Sequence, residues 1–370
     1  MDKHKPIFFP GLNGLRAISA LAVVASHTTV ALGAFNLNPY LLGALPNGNP
    51  KGIDLSDFAV SIFFALSGYL ITYLLLAENQ AGEINIKNFY IRRILRIWPL
   101  YYVYYLAASL VIYFWNLTDE YNPVLCYIFF AANVPKVYQM KSDLLGHYWS
   151  LGVEEQFYIF WPWIVKRFHK YLGVVCAVLL TVLVAMKLYA HFVYPGSLFE
   201  SAMYVNRFDC MMIGALGAIL YYQKHTLFIR FTKHIAVQAL SWLCVILAAL
   251  NKFHIAAVLD HEFMSGFTVA LIIGQIESSR KIINLDYKIF DFLGKLSYGI
   301  YVIHPLAVFF AAQWFVPPGN GFLSYALVYA CVMGSTILTA YLSYEYLEKW
   351  FLKIKLNYST IISKATRSGA

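Results

Sequence analysis

The chain alternates between long apolar runs and short polar connectors from about residue 12 to residue 351. A helix needs about 20 consecutive apolar residues to cross the roughly 30 Å hydrocarbon core of a bilayer. Ten stretches approach that length, at 15–35, 56–77, 98–116, 149–166, 171–193, 207–223, 235–251, 262–278, 292–314 and 321–343. A further stretch, 124–134, has about eleven residues and is too short to span, so it reads as an interfacial or re-entrant piece. The pattern predicts an all-α polytopic membrane protein, a bundle of about ten transmembrane helices.

Composition agrees. Of the 370 residues, 60% are hydrophobic and 13% charged, with a mean hydropathy of +0.60. The formal charge of +9 would suggest nucleic acid in a soluble protein. Here the basic residues lie mostly between apolar runs, which is a topology signal, and no nucleic-acid partner is expected. With the N-terminus placed in the cytoplasm, the outside keeps only Lys51, Lys136, Lys141, Lys187, Arg207 and Lys252 of the 28 Lys and Arg residues. Acidic residues collect outside: Asp54, Asp57, Asp119, Glu120, Asp143, Asp260 and Glu262. Both termini are therefore expected in the cytoplasm. A cleaved leader is not expected, because cleavage would discard Arg16 and His27. A transmembrane domain over 1–355 and a short basic cytoplasmic tail over 356–370 complete the layout. The five cysteines are scattered, with no CxxC pair and no His/Cys spacing suited to zinc, so neither disulfides nor a metal site is expected.

Four polar constellations interrupt the apolar pattern. In the first run Arg16 precedes His27 by eleven residues. On a helix that is about three full turns, so both lie on one stripe, about 16.5 Å apart along the axis. If Arg16 sits at the cytoplasmic interface, His27 lies near the bilayer centre, where an ionisable group is costly and is read as functional. Its near-neutral pKa suits general base work; a histidine there can also simply bond a neighbouring helix. The second constellation is Arg92, Arg93 and Arg96, spaced to share a helical face. Such guanidinium groups suit bidentate phosphate binding, or equally an anchor for anionic lipid.

The third runs from His147-Tyr148-Trp149-Ser150-Leu151 through Glu154-Glu155-Gln156-Phe157-Tyr158. Ser150 is placed to cap a helix, and the two glutamates favour its N-terminal dipole. Adjacent carboxylates face in different directions, so at least one enters the bundle and needs a partner, for which His27 is a candidate. The fourth is Ser297-Tyr298 leading to His304-Pro305. The proline frees a carbonyl one turn back, and a structural role is expected there.

Taken in order, these segments resemble the acyltransferase 3 family of membrane acyltransferases, which modify carbohydrates and some natural products. The resemblance runs from about Leu12 to Phe351. It rests on Gly14-Leu15-Arg16-Ala17 with the Arg16–His27 spacing, on Ile62-Phe63-Phe64-Ala65-Leu66-Ser67-Gly68-Tyr69-Leu70-Ile71-Thr72, and on Arg93 with Arg96. The Trp149–Tyr158 motif, Arg207-Phe208-Asp209 leading to Gly214, the His304 segment and Glu348 complete it. Two positions depart from the pattern. Ser61 stands where many members have an aspartate, and Trp350 where the late glutamate is often followed by proline. Some members carry a C-terminal extracytoplasmic esterase-like domain; without one, this chain is expected to work alone or with a partner.

The resemblance implies an acyl-coenzyme A donor, most often acetyl-coenzyme A, used as a co-substrate and not as a permanently bound cofactor. It implies His27 as the catalytic centre and arginines as donor contacts. The expectation is an integral membrane O-acyltransferase of a bacterial plasma (inner) membrane, in contact with membrane lipid. Arg16, Arg93 and Arg96 would bind the donor. His27 would act as general base or acyl carrier, with Glu154 orienting it. Trp149, Ser150, His147 and Tyr158 would line the acceptor side. The acceptor would be a hydroxyl of a surface polysaccharide or a lipid-linked glycan. Two rival readings are a flippase for lipid-linked sugars, with the same polar residues forming its path, and an inactive scaffold.

Overall fold

The computed structural model describes residues 7–41, 43–44, 48, 50–117, 123–140, 142–359 and 363–364, with backbone only at 53, 54, 363 and 364. Lys3, Lys5, Asp119, Glu120, Lys141 and Arg367 of the charge count, and most of the predicted tail, lie outside these residues. The fold is helical. A two-residue strand, β1 (Ile7–Phe8), precedes α1 (Leu12–Ala31), α2 (Ile53–Ala81), α3 (Ile86–Phe114), α4 (Val124–Ile128) and α5 (Asn133–Val137). There follow α6 (Trp149–Phe168), α7 (Leu172–Val193), α8 (Leu198–Asn206), α9 (Phe208–Tyr222), α10 (Thr226–Thr232) and α11 (Ile235–Ala249). The chain ends with α12 (Asp260–Glu277), α13 (Lys288–Trp314), α14 (Phe322–Ser343), α15 (Lys349–Leu356) and β2 (Ser363–Lys364).

Each of the ten predicted stretches falls on a helix. Yet among the described residues seven helical runs are long and apolar enough to cross a membrane, or eight if α10 and α11, bent by 55°, act as one. Two features lower the number from the expected ten. The segment Gly146–Val193 is a single helical run of 48 residues. And α12 carries Asp260, Glu262 and Glu277 within 18 residues, too polar for a span judged on composition.

Contacts set the helix directions. Arg207, at the start of α9, reaches Asp57 near the start of α2, and Tyr222 at its end reaches Gln80, so α2 and α9 run parallel. α6 also runs with α2, through Ser67–Tyr158 and then Thr72–Trp161. α7 runs against α9: Gly173 packs on Ile219, while Lys187 faces Asp209. The chain therefore reverses at the tight turn His169–Tyr171. α1 and α13 are parallel, tied by Asn13–Asp291 at one end (2.6 Å) and His27–His304 further along (2.7 Å). β1 pairs with β2, so the two ends of the described chain lie together.

Small residues let the helices approach, as bilayer packing favours. A Cβ on Gly68 would lie 2.0 Å from the Met211 carbonyl oxygen, and one on Gly214 2.1 Å from that of Ala65. This locks α2 to α9. Gly294 does the same for α13 against α1, where a Cβ would lie 2.2 Å from the Asn13 oxygen. The short stretch after α3 forms α4 and α5, of five residues each and neither long enough to span. It is pinned by tyrosines of α3: Tyr101 donates to Tyr127 O and Tyr102 to Ile128 O.

Candidate active site

α3 begins at Ile86, well before its apolar run, with Asn85 capping it by accepting the Asn88 N–H at 2.9 Å. Arg92, Arg93 and Arg96 thus stand on the first turns of one continuous helix. Arg92 is neutralised by Glu78 at 2.8 Å and donates to Tyr358 O at 2.8 Å. Arg93 and Arg96 turn instead into a cavity that Arg16 of α1 also lines, together with Ser67, Ser150, Glu154, Tyr158, Tyr298 and Tyr301. Among the described residues no ion pair is formed by Arg16, Arg93 or Arg96. Arg93 stacks on Phe89 and Tyr158, and its buried Nε has no hydrogen-bond partner. Among the described residues Glu154 is the one carboxylate in the cavity wall. Three guanidinium groups facing one carboxylate in a half-buried cleft leave net positive charge, which low polarity makes costly.

The cavity ends at Ser150 and Tyr301, whose hydroxyls are 2.6 Å apart. Ser150 was expected to cap α6. Instead α6 issues from a tight turn, Gly146–Tyr148, without a side-chain cap, which frees the hydroxyl for Tyr301. Tyr301 also donates to the His147 carbonyl at 2.9 Å.

Behind Tyr301 lies a histidine pair that follows from one proline. Pro305 has no N–H, so the Tyr301 carbonyl four residues earlier loses its helical donor. His304 Nδ1–H takes that place at 2.6 Å. With a neutral ring, His304 Nε2 is then an acceptor. It lies 2.7 Å from His27 Nδ1, which donates to it. His27 Nε2 is left as a free lone pair. His147 packs against His304, with ring centroids 5.2 Å apart, and donates from Nε2 to Val302 O at 3.0 Å.

Several expectations are corrected here. His27 hydrogen-bonds His304, not Glu154. Glu154 faces Arg16, Arg93, Arg96 and Ser67. The reason is depth. Trp149, the first residue of α6, packs against Phe64, seven residues inside the Asp57 end of α2. The helix therefore starts inside the bundle and delivers Glu154 to the level of Arg16. His304, expected to be structural, is the hydrogen-bonding partner of His27. Tyr158 belongs to the cavity, bonded to Ser67 and stacked on Arg93. Trp149 lies under Arg207, 5.2 Å from guanidinium to ring. His27 itself does not line the arginine cavity; Tyr301 and His304 separate them.

A second polar cluster was not foreseen. Arg207, in the left-handed conformation (φ 40°) between α8 and α9, donates to Asp57 O and to Ser61 Oγ, which also contacts His261. Asp57 stands one turn before Ser61 and supplies the carboxylate missing at that position, 3.3 Å from Arg207. Beside it Lys187, fully buried, lies 2.6 Å from Glu262 and 3.8 Å from Asp209. Lys187 carried a signal as a basic residue inside an apolar run, and Arg207 and Asp209 as part of a family motif, but nothing local in the sequence placed them together.

Comparison with known proteins places the chain in a family. The family model described as an acyltransferase domain, acyltransferase 3, matches residues 9–345. The chain belongs to this family. Its family and its apolar helices make it a multi-pass membrane protein. It is 28% identical over 382 residues to a provisionally named O-acetyltransferase of Staphylococcus aureus (strain COL), covering 95% of this chain and 58% of that one. It is 25% identical over 329 residues to the peptidoglycan O-acetyltransferase OatA of Listeria monocytogenes, covering 80% and 49%. The chain thus spans about half the length of these relatives. No solved structure matches.

Proposed function

We propose that this protein is an O-acyltransferase of the bacterial plasma membrane. It takes an acyl group, acetyl first, from acyl-coenzyme A at the cytosolic face and delivers it to a carbohydrate hydroxyl. The acceptor is a surface polysaccharide or its lipid-linked precursor; the similarity to a protein named as a peptidoglycan O-acetyltransferase favours the cell wall. Ten crossings with both ends in the cytosol are supported by the alternating helix directions and by the pairing of β1 with β2.

One observation carries the donor assignment: Arg16, Arg93 and Arg96 share a cavity and lack internal ion pairs. Guanidinium forks suit the diphosphate of coenzyme A, and neutralising it removes the cost of the unpaired charge. The thioester arm would extend along the cavity toward Ser150 and Tyr301. Passage to His27 then requires the Tyr301 side chain to move aside.

His27 Nε2 accepts the acceptor's hydroxyl proton as the oxygen attacks the thioester carbonyl. When the carbon–sulfur bond breaks, the proton passes from His27 to the leaving thiolate, giving free coenzyme A and the ester. His304 holds His27 in the required tautomer, the task of the orienting member of a triad. Glu154 serves as counter-ion of the cage while it is empty. The test is release of free coenzyme A by purified protein given acetyl-coenzyme A and acetylatable glycan. His27→Ala should lower the rate by about 10²–10⁴-fold; equal activity in a folded His27→Ala variant overturns the assignment. Glycan movement across liposomes without acyl donor would support a flippase instead.

A further inference from the structure

A second cavity adjoins the first. It is lined by Leu74, Leu75, Glu78, Arg92, Lys355 and Ser359, and it shares Ile71 and Arg93 with the arginine cage. Its outer wall is the C-terminal helix α15, which packs back on α3 after a π-helical turn at Tyr344–Glu348. π-turns often mark functional sites. That turn redirects the chain so that Lys353 faces outward and Lys355 inward.

The placement of Lys355 is electrostatically unfavourable. It stands among Arg16, Arg92, Arg93 and Arg96, four like charges. The carboxylate in the cavity, Glu78, is engaged by Arg92 at 2.8 Å. Among the described residues Lys355 forms no ion pair, and the buried Arg93 Nε, which belongs to both cavities' walls, has no partner. Five basic side chains with only Glu78 and Glu154 as carboxylates among the described residues lining the two cavities suit a bound polyanion.

We propose that this second cavity is a distinct phosphate subsite. Lys355 and Ser359 of the C-terminal segment, with Arg93, would bind the ribose 3′-phosphate of the donor, while the neighbouring cage takes its diphosphate. The inference rests on the acyl-coenzyme A reading above and adds to it: two adjoining cationic pockets fit a donor carrying two separate phosphate groups. The basic C-terminal residues are then part of the donor site and not only a topology signal.

The test compares acetyl-coenzyme A, its 3′-dephospho form and S-acetyl-pantetheine on the full-length protein, in wild type, Lys355→Ala and Lys355→Arg. A charge-assisted contact of this kind corresponds to about tenfold or more in affinity. Lys355→Ala should raise KM for acetyl-coenzyme A about tenfold at unchanged kcat. It should leave the 3′-dephospho donor unaffected, and Lys355→Arg should restore the wild-type KM. Equal effects on both nucleotide donors, or no effect on either, overturn the subsite. Equal use of acetyl-coenzyme A and S-acetyl-pantetheine by the wild type overturns the donor reading, and the subsite with it. Direct binding of adenosine 3′,5′-bisphosphate gives a readout independent of turnover: it should weaken about tenfold in Lys355→Ala, and undiminished binding contradicts the proposal.

Discussion

The bundle holds two clusters of charge, and they are built on opposite terms. Around Lys187 the cations are all paired: the ammonium group has Glu262 and Asp209, and nearby Arg207 has Asp57. Around Arg93 the cluster is open: three guanidinium groups face Glu154, and Lys355 adds a further cation. Both sit where charge is expensive. A closed cluster stabilises one packing of helices, here α7, α9 and α12. An open cluster is suited to an anion, which is the basis of the proposed donor site. Charge compensation therefore separates architecture from binding site more sharply than burial does, since Lys187 is the more buried of the two.

The largest expected effect breaks the closed cluster. Lys187→Met leaves Glu262 and Asp209 buried together without their cation, and should cost about 3–5 kcal/mol. Thermal unfolding of the purified variant should register that loss, while the KM for the acyl donor of the surviving folded fraction stays near wild type. A stable Lys187→Met protein with a weakened donor site would reverse the assignment of the two clusters.

Next comes the pair that lies between them. His304→Leu removes the acceptor that fixes the His27 tautomer and should lower kcat about a hundredfold with little change in donor KM. His304→Gln, which offers a carbonyl oxygen to His27 Nδ1–H, should recover most of it. Similar loss in both variants would make His304 a packing residue only.

The smallest effect is the most discriminating for Glu154. As the cage's counter-ion it competes with phosphate. Glu154→Gln should therefore tighten donor binding a few-fold, read as a lower KM, with kcat within about threefold. A hundredfold fall in kcat would restore Glu154 to the role of partner for His27.

These contrasts mark where local pattern was enough and where it was not. Arg16 and His27 share one helix, so their common stripe followed from spacing, and α1 is indeed continuous from Leu12 to Ala31. The arginine pair was readable for the same reason. The His27–His304 bond joins residues 277 apart in the chain, and periodicity cannot register one helix against another. The pairing of Glu154 with His27 failed on depth: α6 starts inside the bundle because the segment before it is pinned to α3 by tyrosine hydroxyls. Ser150 was read as a cap because its position fits one, but a tight turn entered the helix without needing it. Charge counting treated Lys355 as a surface residue, since a basic residue beyond a span looks the same whether it faces water or a cavity.

The measurement closest to the central claim is equilibrium binding of coenzyme A to Arg96→Ala, with its thermal midpoint recorded beside it. Removing a cation from the open cluster relieves repulsion in the empty protein, so the midpoint should hold or rise. Coenzyme A affinity should fall at least tenfold. A lowered midpoint with undiminished coenzyme A binding would mean that the arginines serve the fold, and would contradict the donor site.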